Sequence, residues 1–355
     1  MAKTLKDLAT ELGLSQTTIS RALNGFPEVN EATRLRVHEA AERLNYRPSA
    51  RARSLATGRT MTIAHVLTFS KHHEMMNPVY GDFIAGASEA YQQAGYHIHL
   101  AVVADSDQEQ AFRNLAAERS VDGVLLQAPL TGDFRIPLLQ EIGMPFVVHG
   151  RASINDDKDY SWVDVNNKRA FEKATYGLLD LGHQRLGLIN GLESMDFARR
   201  RKEGMLAALA ARGVDPTPEF YTSNDMTESI GHEETTRMLA MPNPPTAFLA
   251  SSFIAAMGVR RAIVEAGLTL GQDVSLVTHD DDLSYLKNGG TQPIFTATRS
   301  SVRDAGRIAA QILLNQIGSG DDCPVNKLLE VDYINGPSTG PCPTPTDVLP
   351  PVRAG

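Results

Sequence analysis

Cysteine is scarce in this chain of 355 residues, which contains only Cys323 and Cys342. Two thiols this far apart fit a reducing compartment and offer no metal-ligand spacing. No apolar run approaches the length of a membrane span, and residues 1–4 lead into an amphipathic helix and not into a signal peptide. We therefore expect a cytoplasmic protein with no membrane segment.

The motifs of common enzyme and cofactor sites are also missing. No GxGxxG follows a predicted strand, there is no P-loop, and no nucleophile elbow positions a Ser/His/Asp set. The histidines at 72–73, 97 and 99 have neither a cysteine nor a third spaced ligand, so no metal site is predicted. We expect no catalytic residue, metal or cofactor. An α/β enzyme and a cytoplasmic or transport-linked sugar-binding protein are the alternatives from other classes.

Charge is unevenly distributed along the chain, whose formal net charge is −8. Residues 1–60 contain ten cationic and six anionic side chains, a net charge of +4, which leaves −12 for the remaining residues. The hydrophobic content of 42% is ordinary for a globular protein of this length with two or three domains. A basic head on an acidic body favours nucleic acid as the partner of the head alone.

The N-terminal stretch has the spacing of a helix-turn-helix. Apolar residues recur every three or four positions over 5–12, and Gly13 suits a left-handed helix end. Ser15 can cap a second helix over 16–23, and a third helix is predicted over 31–44. Two short helices around a glycine turn are typical of DNA-binding heads. For these residues alone, a helical hairpin with an ordinary polar face is the alternative.

The exposed face of the second helix carries Gln16, Thr17, Ser20 and Arg21. Gln can bind adenine and Arg can bind guanine with two hydrogen bonds each, and a Thr methyl can contact the methyl of thymine. Because the first residues of the second helix enter the major groove in such motifs, these side chains are predicted to contact bases.

A short basic linker follows the third helix, since Tyr46-Arg47-Pro48 ends the helical pattern. Residues 49–56 favour a helix but are too few to be stable alone. Leu55 is their one large apolar side chain, and it can act as a wedge in a minor-groove step. The alternative is a flexible basic linker with an incidental leucine.

From Met61 onwards, short apolar runs alternate with amphipathic stretches, which is typical of parallel sheets covered by helices. The strands are too many for one small domain, so the body is predicted to form two α/β lobes. The predicted strands are 62–69, 97–103, 121–127, 146–149, 186–190, 246–250, 275–278, 295–298 and 328–333. The predicted helices are 79–94, 108–119, 166–181, 197–212, 230–239, 254–266 and 302–316.

Polar residues follow the ends of several predicted strands, which is where ligands bind in open α/β sheets. These positions are Ser70, Gln127, 150–151, 251–253, 279–281 and Arg299. Carboxylates accept hydrogen bonds from hydroxyls, arginines donate to oxygen atoms, and aromatic rings cover apolar faces, so the set suits a sugar. Trp162, the single tryptophan, is expected either to pack between the lobes or to stack on the sugar.

Several stretches carry a resemblance to a known family. They are TLKDLATELGLSQTTISRALNG, VNEATRLRVHEAAERLNYRPSARARSLATGRT, GHQRLGLINGL, PTAFLASS and DVSLVTHDD, in this order. From residue 3 to about residue 335 the chain resembles the LacI/GalR family of bacterial transcription regulators. The resemblance implies a homodimer, with a tetramer left open, whose heads bind a pseudo-palindromic operator in double-stranded DNA. It also implies a hinge in the central minor groove and a body shaped like a periplasmic sugar-binding protein.

The resemblance assigns DNA-contacting roles to residues of the head and hinge. Gln16, Thr17 and Arg21 match the family's base-contacting positions, and Leu55 matches the hinge wedge. The positions that touch phosphates match Thr4, Ser15, Thr18, Ser20, Asn24, Thr33 and Tyr46. Together with Leu5 and Arg51, these residues form the predicted DNA-binding set.

The resemblance also selects effector-binding residues from the body, and Asp280 and Arg201 correspond to the family's acidic and basic ligand residues. The predicted effector-binding set is Tyr80, Gln127, Arg151, Arg201, Met226, Ser252, Phe253 and Asp280. Phe253 departs from the Asp or Asn usual in the family, and Gly150 replaces an Asp of some members, so their effectors are not carried over. The sequence HGR at 149–151 resembles members that respond to α-glucosides.

These observations divide the chain into four segments. They are a DNA-binding head at 1–48, a hinge at 49–60, an effector-binding and dimerisation body at 61–335, and a Pro-rich tail at 336–355 that is predicted to be disordered. The N-lobe is expected at about 61–162 and 291–318, and the C-lobe at about 163–290 and 319–335. The predicted function is a repressor of carbohydrate uptake or catabolism genes that a small sugar releases from its operator. A co-repressor-dependent or activating regulator is the alternative.

Overall fold

The computed structural model describes residues 4–46, 58–68, 78–153, 159–320 and 323–343. Most of the predicted hinge, including Arg51 and Leu55, lies outside these residues, as does Ser70. The described residues form a head of three helices and a body with two parallel-dominated sheets, which confirms the predicted fold class.

The secondary structure largely follows the predicted alternation of helices and strands. The helices are α1 Leu5–Leu12, α2 Gln16–Leu23, α3 Glu31–Arg43, α4 Pro78–Ala94, α5 Gln108–Ala117, α6 Arg135–Glu141, α7 Asn167–Asp180, α8 Asp196–Ala211, α9 Glu228–Leu239, α10 Phe253–Glu265 and α11 Val302–Ser319. The strands are β1 Thr62–Thr68, β2 His97–Val103, β3 Gly123–Gln127, β4 Phe146–His149, β5 Ser161–Val165, β6 Leu186–Asn190, β7 Tyr221–Ser223, β8 Ala247–Ala250, β9 Ser275–Asp280, β10 Thr296–Arg299, β11 Asn326–Leu329 and β12 Asp332–Ile334.

The head consists of three helices with capped ends. The Thr4 hydroxyl accepts a hydrogen bond from the Asp7 backbone N–H at 3.3 Å, and the Asp7 carboxylate accepts one from Thr4 N at 2.7 Å, which is a capping box. Gly13 ends α1 with a φ of 66°, a left-handed conformation that glycine adopts without a steric penalty. All three helices contribute to one apolar core, formed by Leu8, Ala9, Ile19, Ala22, Val29, Val37, Ala40 and Ala41.

The N-lobe is built on a parallel six-stranded sheet with the order β11-β5-β4-β3-β1-β2. Strand β3 is buried along its whole length, as expected for a parallel sheet with helices on both faces. Successive side chains of a strand point to opposite faces. Leu125 therefore packs with Phe83 and Leu313 in one core, while Val124 and Leu126 belong to a second core.

The C-lobe sheet has the order β12-β10-β9-β8-β6-β7. Its strands pair in parallel except for β10 and β12, which are antiparallel. The parallel strands of both sheets end at the cleft between the lobes, so the loops after these strands meet there.

The predicted lobe boundaries are wrong near the end of the body. Strand β10, expected in the N-lobe, pairs with β9 of the C-lobe, and β11, expected in the C-lobe, pairs with β5 of the N-lobe. The single strand predicted over 328–333 is two strands in different sheets. Hydrophobic periodicity reports burial of a segment but not which sheet the segment joins, so the crossovers were not visible in the sequence.

The sequence patterns also missed β5, β7 and α6. Strand β5 is fully buried although its sequence, SWVDV, contains a serine and an aspartate. Polar residues inside a short strand weaken the apolar signal on which the prediction depended. As shown below, the aspartate of this strand belongs to the cavity between the lobes.

Within the described ranges, no helix is long and apolar enough to cross a bilayer. The same ranges contain no group of three or more His, Cys, Asp or Glu residues arranged to hold a metal ion.

The first part of the predicted disordered tail is ordered against the C-lobe. The Ser338 hydroxyl donates a hydrogen bond to the Leu276 carbonyl at 2.6 Å and accepts one from the Thr296 backbone N–H at 2.8 Å. The prediction of disorder is therefore wrong for 336–343, because these polar residues satisfy backbone groups at the edge of the sheet. Residues 344–355 lie outside the described residues, and their predicted disorder stays a prediction.

Truncation of the tail at two points tests this packing. A chain that ends at residue 335 loses both Ser338 hydrogen bonds and is expected to lose about 2–4 kcal/mol in the free energy of unfolding, since two buried backbone groups lose their partners. A chain that ends at residue 343 keeps these contacts and serves as the control. Urea denaturation compares the two, and equal stability of both truncated chains would contradict the role of 336–343.

Candidate functional site

A shallow depression on the head brings the predicted base-contacting side chains together. It is lined by Leu5, Gln16, Thr17, Ser20, Arg21 and Phe26. Ile19 and Ala22 are buried on the opposite face of α2, which directs Gln16, Thr17 and Arg21 to solvent. Phe26 was not selected from the sequence, where it reads as part of a loop.

Other predicted phosphate-contacting residues cap helices at the border of this surface. The Ser15 hydroxyl accepts a hydrogen bond from the Thr18 backbone N–H at 3.0 Å, and the Asn24 side chain donates to the Ser20 carbonyl at 2.8 Å. Thr33 lies in the first turn of α3. The N-terminal turns of these helices present N–H groups that suit phosphate oxygens.

Two further side chains support the shape of the head. Arg34 donates hydrogen bonds to the Glu31 carboxylate at 2.9 Å and to the Phe26 carbonyl at 3.2 Å, so it holds the loop between α2 and α3. Tyr46 is half-buried against the head core, and burial raises the pKa of its hydroxyl.

A cavity of about 420 Å³ lies between the two lobes, within the size range of small-molecule sites. Six residues of the predicted effector-binding set line it: Tyr80, Gln127, Arg201, Met226, Ser252 and Phe253. Arg151 and Asp280 are not among the lining residues. The lining also contains polar residues outside the predicted effector-binding set: His149, Asp164, Asn167, Asn224, Asp225, Thr227, Ser251, His279, Asp281 and Ser300. Ser251, His279 and Asp281 are among the polar strand-end positions noted in the sequence.

Arg201 is the buried cation of the cavity. Its Nε donates a hydrogen bond to Asn167 Oδ1 at 2.8 Å, and its Nη1 donates to the Ser251 carbonyl. The guanidinium also lies over the rings of Phe171 and Phe197, at 5.4 and 5.0 Å from the ring centroids. Burial lowers the pKa of Arg201 to about 10, so the group stays charged at neutral pH.

Asp281 contributes a carboxyl group whose negative charge acts on Arg201. It lines the cavity, and its Oδ1 lies 3.6 Å from His279 Nε2. Burial raises the pKa of Asp281 to about 6; Arg201 acts in the opposite direction and Asp280 adds to the increase. Burial also lowers the pKa of His279 well below its usual value, so this imidazole is neutral.

Asp280, the predicted acidic ligand, lies elsewhere. Its carboxylate accepts hydrogen bonds from Arg299 Nε at 2.9 Å and from the Asp282 backbone N–H at 2.9 Å. The side chains of adjacent residues at a strand end point to opposite sides. The side chain of Asp280 therefore points into the lobe, whereas that of Asp281 points to the cavity. The next residue, Asp281, lines the cavity, and Asp280 does not. The assignment of Asp280 as the acidic effector ligand stays a prediction.

Arg151 acts on the cavity through Asp164. Its Nε donates a hydrogen bond to Asp164 Oδ2 at 2.8 Å, and its guanidinium lies 4.8 Å from the centroid of the Trp162 ring. Burial raises the pKa of Asp164 although Arg151 lowers it in part. Trp162 is buried in a core of the N-lobe and does not line the cavity, so it packs inside one lobe and neither between the lobes nor against the predicted sugar site. Asp164, the partner of Arg151, lines the cavity and lies on β5, a strand that the sequence patterns missed.

Apolar and capping residues complete the lining. The Ser252 hydroxyl caps α10 by accepting a hydrogen bond from the Ala255 backbone N–H at 3.1 Å. Phe253 is held edge-to-face against Phe295 at 5.4 Å between ring centroids. His149 stacks on Phe83 at 4.4 Å, and burial lowers the pKa of His149 to about 4. The cavity thus combines rigid aromatic surface with a few buried polar groups.

Two family models match the chain. Residues 4–49 match the model of bacterial regulatory proteins of the lacI family, and residues 176–339 match the periplasmic binding protein-like domain. The HTH-type transcriptional regulator AglR of Rhizobium meliloti (strain 1021) is 43% identical over 343 residues, which cover 97% of this chain and 96% of AglR.

Solved structures with the same architecture include two complexes. The transcriptional regulator CelR–cellobiose complex is 27% identical, with a TM-score of 0.71, and the match covers 95% of this chain and 99% of CelR. The lac repressor dimer bound to operator and the anti-inducer ONPF is 26% identical, with a TM-score of 0.80 and coverage of 96% and 100%.

A helix-turn-helix head joined to two lobes around a small-molecule cavity defines a DNA-binding protein under ligand control. The identity to AglR over nearly the whole length makes the assignment specific: the chain belongs to the lacI family of bacterial regulatory proteins. It is a DNA-binding transcriptional regulator and not an enzyme.

The exposed position of Arg21 leads to a test of sequence recognition. Substitution Arg21→Ala is expected to weaken binding to the specific DNA site by about 1–3 kcal/mol and binding to unrelated DNA by much less, since the predicted base contact would be lost. Arg43→Ala is the matched control, because Arg43 is exposed on α3 and paired with Glu11. Fluorescence anisotropy on both DNAs measures the ratio, and an equal loss on each would rule out base contact by Arg21.

The raised pKa of Asp281 leads to a test of stability against pH. An unfolded aspartate ionises near pH 4, whereas folded Asp281 keeps its proton until about pH 6. The folded state therefore loses relative stability as the pH rises from about 4 to about 6, and the loss is constant above this window. Asp281→Asn removes the ionisation and is expected to stabilise the ligand-free protein above pH 6 by on the order of 2 kcal/mol.

The control for this test is Asp282→Asn, whose carboxylate contacts Lys287 at the surface. Urea denaturation at pH 4, 5, 6 and 7 measures the difference between each variant and the wild type. A difference for Asp281→Asn that does not grow with pH would contradict the burial of an ionisable group at this position.

Proposed function

We propose that this protein represses genes for the uptake or catabolism of a carbohydrate. Two copies bind a pseudo-palindromic operator as a homodimer, and a neutral sugar, most readily an α-glucoside, binds between the lobes and releases the DNA. The protein acts in the cytoplasm, where its operator is. The head (1–48), hinge (49–60) and body (61–343) are the functional segments.

The observation that supports this proposal is that Arg201 and Asp281 both line the cavity, where the negative charge of Asp281 acts on Arg201. Sugar hydroxyls both donate and accept hydrogen bonds, so they can accept from the guanidinium of Arg201 and donate to the carboxyl group of Asp281 in one cavity. Phe253, Met226 and Tyr80 supply apolar surface for the C–H faces of a sugar ring. Polar groups that are fixed in a mainly apolar cavity favour a ligand of this amphipathic kind.

The charge of the lining favours a neutral sugar. Among the described residues that line the cavity, Arg201 is the single lysine or arginine, whereas Asp164, Asp225 and Asp281 carry carboxyl groups. A carboxylated or phosphorylated sugar would place its negative charge beside these carboxyl groups, which is unfavourable in a cavity of low dielectric constant.

The relatives support the same ligand class. The CelR structure contains cellobiose, a disaccharide, in a protein of the same architecture. The cavity volume of about 420 Å³ suits a mono- or disaccharide. The α-glucoside assignment rests on the HGR sequence at 149–151, of which His149 and Gly150 line the cavity.

The DNA side of the proposal combines the head surface with the hinge. The lac repressor structure shows a related dimer bound to operator, which supports a dimer for this chain. Arg51 and Leu55 are proposed to contact the central minor groove on the basis of sequence. Closure of the lobes around a sugar would alter the spacing of the two hinges, and couplings of this kind are commonly about 1–3 kcal/mol.

The test starts with the full chain and a panel of sugars. Maltose, trehalose and sucrose are compared with glucuronate and glucose 6-phosphate by thermal shift and calorimetry. At least one α-glucoside is expected to bind, and the two anionic sugars are not. Asp281→Asn is expected to reduce affinity about tenfold or more, since a charged acceptor is replaced by a neutral amide with one acceptor oxygen. Asp282→Asn is expected to bind the sugar as the wild type does.

A second measurement decides the direction of control. A gel shift on genomic fragments selects the operator, and its affinity is then measured with and without the bound sugar. Weakening by roughly 5–150-fold supports the inducer role. Tighter binding in the presence of sugar would make the sugar a co-repressor, and the absence of specific DNA binding by the full chain would contradict the regulatory proposal itself.

A further inference from the structure

His65 is a fully buried histidine on β1 that lies beneath the interlobe cavity and does not line it. Its Nε2 lies 3.1 Å from Tyr91 Oη, and its Nδ1 lies 3.4 Å from Gln127 Nε2. Tyr91 comes from α4, whereas Gln127 is the last residue of β3 and lines the cavity. A single imidazole therefore connects a helix of the N-lobe core to a side chain at the cavity surface.

The protonation state of His65 determines the direction of these hydrogen bonds. Burial lowers the pKa of His65 to about 4, so the ring is neutral at pH 7 and has one donor and one acceptor nitrogen. The amide nitrogen of Gln127 can only donate, so His65 Nδ1 accepts. The ring proton then resides on Nε2 and is donated to the Tyr91 oxygen.

The Gln127 backbone is held as well as its side chain. Its carbonyl accepts a hydrogen bond from Arg135 Nη2 at 3.3 Å, and the Arg135 guanidinium is fixed by two hydrogen bonds to the Asp133 carboxylate. The Gln127 Oε1 atom has no hydrogen-bond partner among the described residues. Because the amide nitrogen is turned toward His65, the oxygen is the atom available to a molecule in the cavity.

We infer that His65 is a positioning residue that holds the Gln127 carboxamide with its oxygen toward the cavity, so that this point accepts a hydrogen bond from a ligand hydroxyl. A carboxamide that is free to rotate offers either a donor or an acceptor and discriminates little, whereas a fixed oxygen rejects a ligand that cannot donate there. This inference rests on the proposed sugar-binding function, which supplies the hydroxyl.

The first experiment needs no ligand. Nitrogen NMR of the full chain, labelled with ¹⁵N at histidine, reports which ring nitrogen of His65 carries the proton. The expected result is a neutral ring protonated at Nε2 at pH 7. A ring protonated at Nδ1, or at both nitrogens, would overturn the inference because Gln127 would then turn its oxygen toward His65.

The second experiment measures selectivity with maltose and its monodeoxy analogues, each of which lacks one hydroxyl. For the wild type, one analogue is expected to bind roughly tenfold or more weakly than maltose, since the Gln127 oxygen is left without a donor. In Tyr91→Phe and in His65→Leu this penalty is expected to fall below about threefold, because the carboxamide is free to rotate. The Tyr91→Phe variant keeps the buried ring, so it remains informative if His65→Leu does not fold.

His183→Leu is the matched control, since His183 is also fully buried and hydrogen-bonded, to Thr246 and Ser275 at 3.0 Å, but does not line the cavity. It is expected to lower Tm without changing the penalty for any analogue. An unchanged penalty in Tyr91→Phe, with maltose still bound, would contradict the positioning role. Failure of the wild type to bind maltose counts against the proposed α-glucoside class, and the protonation of His65 then decides the inference by itself.

Discussion

The parallel direction of the strands is the constraint on which the rest of the body depends. Strands that run in the same direction end at the same edge of a sheet, and in both lobes this edge borders the cleft. Gln127, Asp164 and Asp281 belong to segments far apart in the sequence, and they meet because each lies at or next to the carboxyl end of a strand. The parallel direction of the strands therefore places polar groups from both lobes at the same cavity.

Burial of charged groups at this cleft costs free energy, and nearby arginines offset part of that cost for two carboxyl groups. Arg151 offsets part of the burial of Asp164, and Arg201 offsets part of that of Asp281, although burial remains the larger influence on both carboxyl groups. Buried carboxyl groups of this kind are stabilised only by specific hydrogen-bond or ionic partners. Because Asp164 and Asp281 line the cavity, a ligand can supply further hydrogen bonds to them.

Much of this arrangement was predictable, and the errors have physical causes. The capped helices of the head were predicted to within a residue or so, since caps and apolar spacing are local signals. Six of the eight predicted effector-binding residues line the cavity. Asp280 was selected from the family resemblance, and the run of aspartates at 280–282 does not show which of them faces the cavity. His65 was missed because an apolar strand with one histidine resembles an ordinary core strand.

The sequence by itself determined the class of protein. The head motif, the alternation of strands and helices, and the polar residues at strand ends are local patterns, which do not depend on tertiary contacts. Only the tertiary structure decided which strand joins which sheet, which of two adjacent aspartates faces the cavity, and which part of the tail is ordered. These outcomes depend on contacts between residues distant in the chain, such as Ser338 with Leu276. Their energies arise from burial and pairing that exist only after both partners have been brought together.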